Sequence, residues 1–172
     1  TKGNLDEAIR LAHDCIRVCE ANHNDLGLAE AYSMLGRFTA TSHTYEDMRK
    51  SSEYSEKSFD LHKQFEYGKQ IIVCLSRLMF SYCFLGEEDK AEEILLESVK
   101  WMRNNQRDNL HFVSSLIYIS QMYLKQKHNL EKAIKHCKSA LEQGPSSHQL
   151  VYILSLMEEA YTGLGKRDEF IS

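Results

Sequence analysis

Apolar and small residues recur along the chain at steps of three and four. Ala8, Leu11, Ala12, Cys15 and Ile16 share one helical face, as do Ala91, Ile94, Leu95, Ser98 and Val99, and Ala133, Ile134, Cys137, Ala140 and Leu141. That spacing predicts amphipathic helices. Before each opening lies a more apolar run, predicted as a helix over roughly 26–42, 66–85, 110–125 and 149–164. Helices apolar on more than one face must be covered on both sides.

The amphipathic runs open alike. Segments 3–8, 45–48, 86–91 and 129–133 each pass from a short polar turn through acidic residues to a small or apolar residue, and 165–170 begins a fifth copy. Acidic residues in a first turn suit the helix dipole. Ala8 to Met48 is 40 residues, Met48 to Ala91 is 43, Ala91 to Ala133 is 42 and Ala133 to Phe170 is 37. A small residue recurs within these helices: Cys15, Ser55, Ser98 and Ala140, where a neighbour can approach closely. The pattern predicts an all-α protein of seven to eight antiparallel-paired helices without a sheet. Turns are expected near 3–4, 43–45, 86–88 and 128–130. Each unit is a hairpin that cannot hide its core alone, so hairpins stack into an α-solenoid. The whole of 1–172 reads as one repeat domain cut from a longer array. In it 1–25 is the second helix of a truncated repeat, 26–65, 66–107 and 108–145 are full hairpins, and 146–172 starts a further repeat.

Composition sharpens this. One proline, Pro145, and eight glycines leave little material for the turns of an all-β fold. A net charge of -4 and a pI near 6.1 argue against nucleic acid as partner. The most apolar stretch, 71–85, carries Arg77 and is shorter than the ~18 residues that cross a bilayer, so no membrane partner is expected. Five cysteines, an odd number with no C-x-x-C pair, read as free thiols and point to the cytoplasm.

Leu35-Gly36, Tyr82 with Gly86, the set Tyr123, Ala133, Ala140 and Pro145, and Ala160-Tyr161 with Gly165 together resemble the tetratricopeptide repeat (TPR) family over nearly the whole chain. Two departures stand out. The family period is about 34 residues, whereas this chain runs 37 to 43; similar lengthened repeats occur in kinesin light chain-like proteins and in bacterial peptide-sensing regulators. Around Tyr45 the match is poor, with Thr39 in place of the expected Tyr and Ser52 in place of an apolar residue.

The resemblance implies a scaffold that binds another protein or peptide on a concave face lined by the first helices of successive hairpins. Carrying over the phase places Ser33, Arg37, Ser76, Arg77, Phe80, Phe84, Ile117, Tyr118, Gln121, Ser155 and Glu159 on or near that face. Arg37 and Arg77 would take a carboxylate through paired hydrogen bonds, and Phe80, Phe84 and Tyr118 an apolar anchor. The lysine- and asparagine-rich clamp of the family's chaperone-tail binders is absent, which disfavours an acidic C-terminal tail. Two alternatives stay open: a sensor region of a larger regulator, such as a bacterial peptide-responsive transcription factor, or a structural segment that self-associates through its truncated ends.

No enzyme and no cofactor are expected. G-x-S-x-G, H-E-x-x-H and a glycine-rich phosphate loop after a strand are all missing. The best metal-like cluster is His13, Cys15, Cys19 and His23. Cys15 there holds a packing position and His23 an expected turn, which favours a structural reading over zinc. Trp101 reads as a packing residue.

Overall fold

The computed structural model describes residues 2–66, 68–105, 109–126 and 129–171. Among these, nine α-helices and one 3-10 turn occur, with no strand. They are α1 (Lys2–Ala21), α2 (Asp25–Thr39, extended by a 3-10 turn at Ala40–Ser42), α3 (Tyr45–Gln64), α4 (Gly68–Leu85), α5 (Glu88–Asn105), α6 (Asn109–Gln126), α7 (Leu130–Glu142), α8 (Ser147–Gly163) and α9 (Arg167–Ile171).

Side-chain caps start several helices where the sequence changes from polar to periodic. The side chains of Asn24, Thr44 and Asn129 accept from the backbone N–H of Gly27, Asp47 and Lys132 at 2.9, 3.1 and 3.2 Å. Ser146 and Gln149 cap each other's backbone N–H reciprocally. Helices stop at left-handed residues: Gly86 and Gly165 at φ 74° and 69°, and also His23, His43 and Glu66, where a side chain must tolerate φ of 51° to 54°.

The expected turn at Gly3–Asn4 is absent, because α1 runs through it. Gly3 is an exposed helical position where an added Cβ would meet nothing within 4 Å, and one interior glycine costs only about 0.5–1 kcal/mol, too little to break a long helix. Lys127 and His128, in the expected fourth turn, lie outside the described residues.

Each helix packs on its chain neighbours. The even-numbered helices also touch one another in series: α2 on α4, α4 on α6, α6 on α8. α4 and α6 therefore carry apolar residues on several sides, as Ile71, Leu75, Leu78 and Met79, and Val113, Leu116, Ile119 and Met122, all nearly inaccessible to water. By length and composition α4 suffices to cross a membrane, and half of it is buried against the rest of the protein. Its 18 residues exceed the span expected from sequence because the helix starts at Gly68, before the apolar run.

One core runs from α4 to α8, and a smaller one joins Ala12 and Ile16 to Ala31 and Leu35. Between them α3 buries a face of small polar residues: Ser51, Ser52, Ser55 and Ser58, with Met48 and His62. Ser51 donates to the carbonyl of Gly36 and Ser58 to that of Ala29, both at 2.8 Å, and Ser81 of α4 donates to Ser51 at 3.2 Å. The hairpin that matched the family pattern worst thus packs tightly by a different chemistry. Small side chains let backbones approach, and the Ser51 and Ser58 hydroxyls satisfy themselves on carbonyls.

Cys15 departs from its expected packing position. It is exposed, as is Leu11, while Ala12, Ile16 and Cys19 form the buried face. Among the described residues α1 makes its substantial contacts with α2 alone, so only one narrow stripe is covered.

A tyrosine unit recurs along the array. The Tyr82 hydroxyl of α4 donates to Glu56 of α3, and the Tyr123 hydroxyl of α6 donates to Glu92 of α5. Over each ring lies a lysine of the next odd-numbered helix, Lys90 and Lys132, both 5.0 Å from the centroid. Tyr161 is buried in α8 and packs on Phe170 of α9 at 5.9 Å.

Candidate functional site

α2, α4 and α6 present their shared side as a groove lined by Arg37, Ala40, Val73, Ser76, Arg77, Phe80, His111 and Tyr118. An adjoining hollow shares Phe80 and Tyr118 and adds Cys83, Phe84, Gln121, Met122 and Lys125. Arg37, Ser76, Arg77, Phe80 and Tyr118 of the sequence-derived set thus meet in one groove, and Phe84 and Gln121 stand beside them. Ser33 is buried behind Arg77, Ile117 is buried, and Ser155 and Glu159 lie exposed on α8 and line neither hollow.

Arg77 is partly buried and crosses from α4 to α2. Its Nη1 donates to the Ser33 carbonyl at 2.9 Å and to the Ser33 hydroxyl at 3.2 Å. No ion pair joins Arg77 or Arg37 to a carboxylate among the described residues. Burial holds the Arg77 guanidinium below its usual pKa against the opposing pull of Cys74, and the like charge of Arg37 adds a lesser lowering. A guanidinium carries five donors, and Ser33 occupies only one nitrogen. Arg37 is exposed, its guanidinium 5.2 Å from the Phe38 ring centroid.

The apolar part of the site is a row of rings. Phe80 meets Tyr118 edge-on at 5.1 Å and Phe84 at 6.4 Å, and Tyr45 meets Phe84 at 5.5 Å. His43 sits against Phe80 at 6.1 Å and Phe84 at 6.4 Å. Such offset and edge geometries are the favoured ones for ring pairs. Burial raises the Tyr118 hydroxyl pKa, so the group stays protonated and available as a donor. The Cys83 thiol is also driven up by burial and offers no thiolate.

Sequence reasoning missed His43, Tyr45, His111 and Lys125. His43 and Tyr45 belong to the turn between α2 and α3, and only the fold carries that turn over to α4. Lys125 falls one helical turn after Gln121, so the same phase argument reaches it.

Among the described residues no group of three His, Cys, Asp or Glu side chains could hold a metal ion. Cys15 and Cys19 lie with sulfurs 3.9 Å apart, but the His13 ring packs toward Tyr54 at 6.1 Å and His23 sits in the left-handed turn. Trp101 is half-buried and donates to Glu97 at 3.3 Å.

No protein-family model matches this chain, and a search of curated proteins returns no match.

Proposed function

We propose that this chain is a non-catalytic binding module: a TPR-like α-solenoid that holds a peptide or a segment of another protein on the side formed by its even-numbered helices. The observation that carries this reading is the groove between α2, α4 and α6. There a partly buried cation, without a carboxylate partner among the described residues, adjoins a row of aromatic rings. An unpaired buried charge is costly, and a ligand carboxylate would satisfy the spare donors while its apolar side chains cover Phe80 and Tyr118. The free thiols fit a reducing compartment such as the cytoplasm.

The test is binding of a captured partner to purified protein and to Phe80→Ala and Arg37→Ala. Both side chains are accessible enough for truncation to spare the fold. Affinity should fall at least tenfold for Phe80→Ala; a loss below threefold in both variants places the site elsewhere.

A second reading, self-association, draws on Leu150, Val151 and Leu154, exposed on α8 at 39%, 71% and 40%. Light scattering across a concentration series separates it from the first, since a binding module without its partner stays monomeric.

A further inference from the structure

Equivalent turns of the four even-numbered helices carry Arg37, Phe80, Gln121 and Glu159, successively 43, 41 and 38 residues apart. The row thus passes from cation through ring and amide to anion. Its neighbours in the two hollows add two further cations. Arg77 lies beside Arg37 on the α2–α4 side, and Lys125 lies beside Gln121. On α8, Glu159 stands exposed with no ion pair among the described residues, next to Glu158, which Arg167 holds at 3.2 Å. The row is continuous at its acidic end. Gln121 donates to the Tyr152 hydroxyl of α8, and Glu159, two helical turns on from Tyr152, is close enough to raise that hydroxyl's pKa alongside burial.

Resting on the binding reading above, we propose that the ligand is a polar-ended peptide segment bound in extended form. Its acidic end lies at Arg37 and Arg77, an apolar side chain covers Phe80 and Tyr118, and its basic end reaches Glu159. The length follows from packing. Neighbouring helices stand about 8–10 Å apart, so α2 to α8 spans roughly 25–30 Å, and an extended chain at about 3.3 Å per residue covers that in eight or nine residues. A purely acidic segment would meet Glu159 unfavourably, and a purely basic one would meet both arginines.

The experiment is selection from an mRNA-displayed library of random 14-residue segments on the whole chain, at low salt. Enriched segments should carry acidic and basic residues at opposite ends, about six to eight residues apart, with an apolar residue between them. One such segment should then bind Arg37→Glu and Glu159→Lys about tenfold more weakly. Both substitutions are at exposed positions, and circular dichroism checks that each variant is folded. Reversing the charge of the segment's acidic end should rescue binding to Arg37→Glu only, and reversing its basic end should rescue Glu159→Lys only. Segments enriched without this polarity, yet lost on Phe80→Ala, would leave the groove standing and overturn the proposal. Enrichment indifferent to Phe80→Ala, or no enrichment at all, overturns both.

Discussion

Arg77 donates to the main-chain carbonyl of Ser33 at 2.9 Å, fastening α4 to α2 across 44 positions of sequence. The acceptor is backbone, so the contact sets the placement of the guanidinium without consuming its charge. Removing Arg77 should therefore separate stability from binding. A buried cation without a counter-charge contributes little net stability, and Arg77→Met keeps most of the side-chain volume. Its urea midpoint should correspond to a change below about 1 kcal/mol, while affinity for any acidic ligand of the groove drops. A loss above about 3 kcal/mol would show that the Ser33 contact is structural first.

Gly36 tests the close approach of α2 and α3. A Cβ there would meet the Ser55 hydroxyl at 2.6 Å and the Ser51 carbonyl at 3.3 Å. Gly36→Ala should destabilise by about 1–3 kcal/mol through overpacking. The Ser55 hydroxyl is buried without a hydrogen-bond partner among the described residues, so Ser55→Ala alone should be neutral or stabilising. Combined with Gly36→Ala, it should recover most of the loss. Simple additivity in denaturant unfolding would contradict this geometry.

Acidification should weaken the α2–α3–α4 region. His62 is wholly buried, and neither ring nitrogen has a hydrogen-bond partner among the described residues; Nε2 lies 3.8 Å from Glu30, too far for one. Burial lowers its pKa from 6.5, against the opposing charge of Glu30. The unfolded chain then binds more protons than the folded one. Stability is full above about pH 6.5 and is lost as pH falls through 6.5 toward the lower folded value. His136, also lowered mainly by burial, acts in the same sense. His62→Leu should therefore flatten only part of the pH dependence of the unfolding midpoint between pH 7.5 and 5. An unchanged slope would rule out His62 as a contributor.

The two tyrosine units should be energetically alike. Tyr82→Phe and Tyr123→Phe each remove one hydroxyl bonded to a glutamate and should each destabilise by about 0.5–1.5 kcal/mol. Tyr123→Phe leaves Glu92 paired with Lys132 at 2.6 Å but also removes the hydroxyl to which Lys132 donates at 3.2 Å, so its cost should stay close to that of Tyr82→Phe. Thermal unfolding of both variants and their double mutant measures this. A strong departure from additivity would mean the two units are coupled, which their separate glutamates and lysines argue against.

Helix phase was readable from residue order because it is local. A period near 3.6 fixes which side chains share a face of one helix whatever it packs against. Only the resemblance to tetratricopeptide repeats suggested which faces of successive helices share a side, so Arg37, Ser76, Arg77, Phe80 and Tyr118 could be grouped before the fold was known. The starts near Thr44 and Asn129 were equally local, since a cap is a bond within four residues. What residue order could not decide was cover and approach. Nothing in the α1 pattern says that only one stripe is covered, so Cys15 and Leu11 read as packed when both are exposed. Ser52 of α3 read as a misfit because hydrophobic spacing counts apolar area, whereas this interface closes with small side chains and the short hydroxyl–carbonyl bonds of Ser51 and Ser58. Tertiary structure alone brings the His43 turn onto Phe80 and sends Arg77 to Ser33, since both contacts join segments that only the stacking of α2, α3 and α4 makes neighbours.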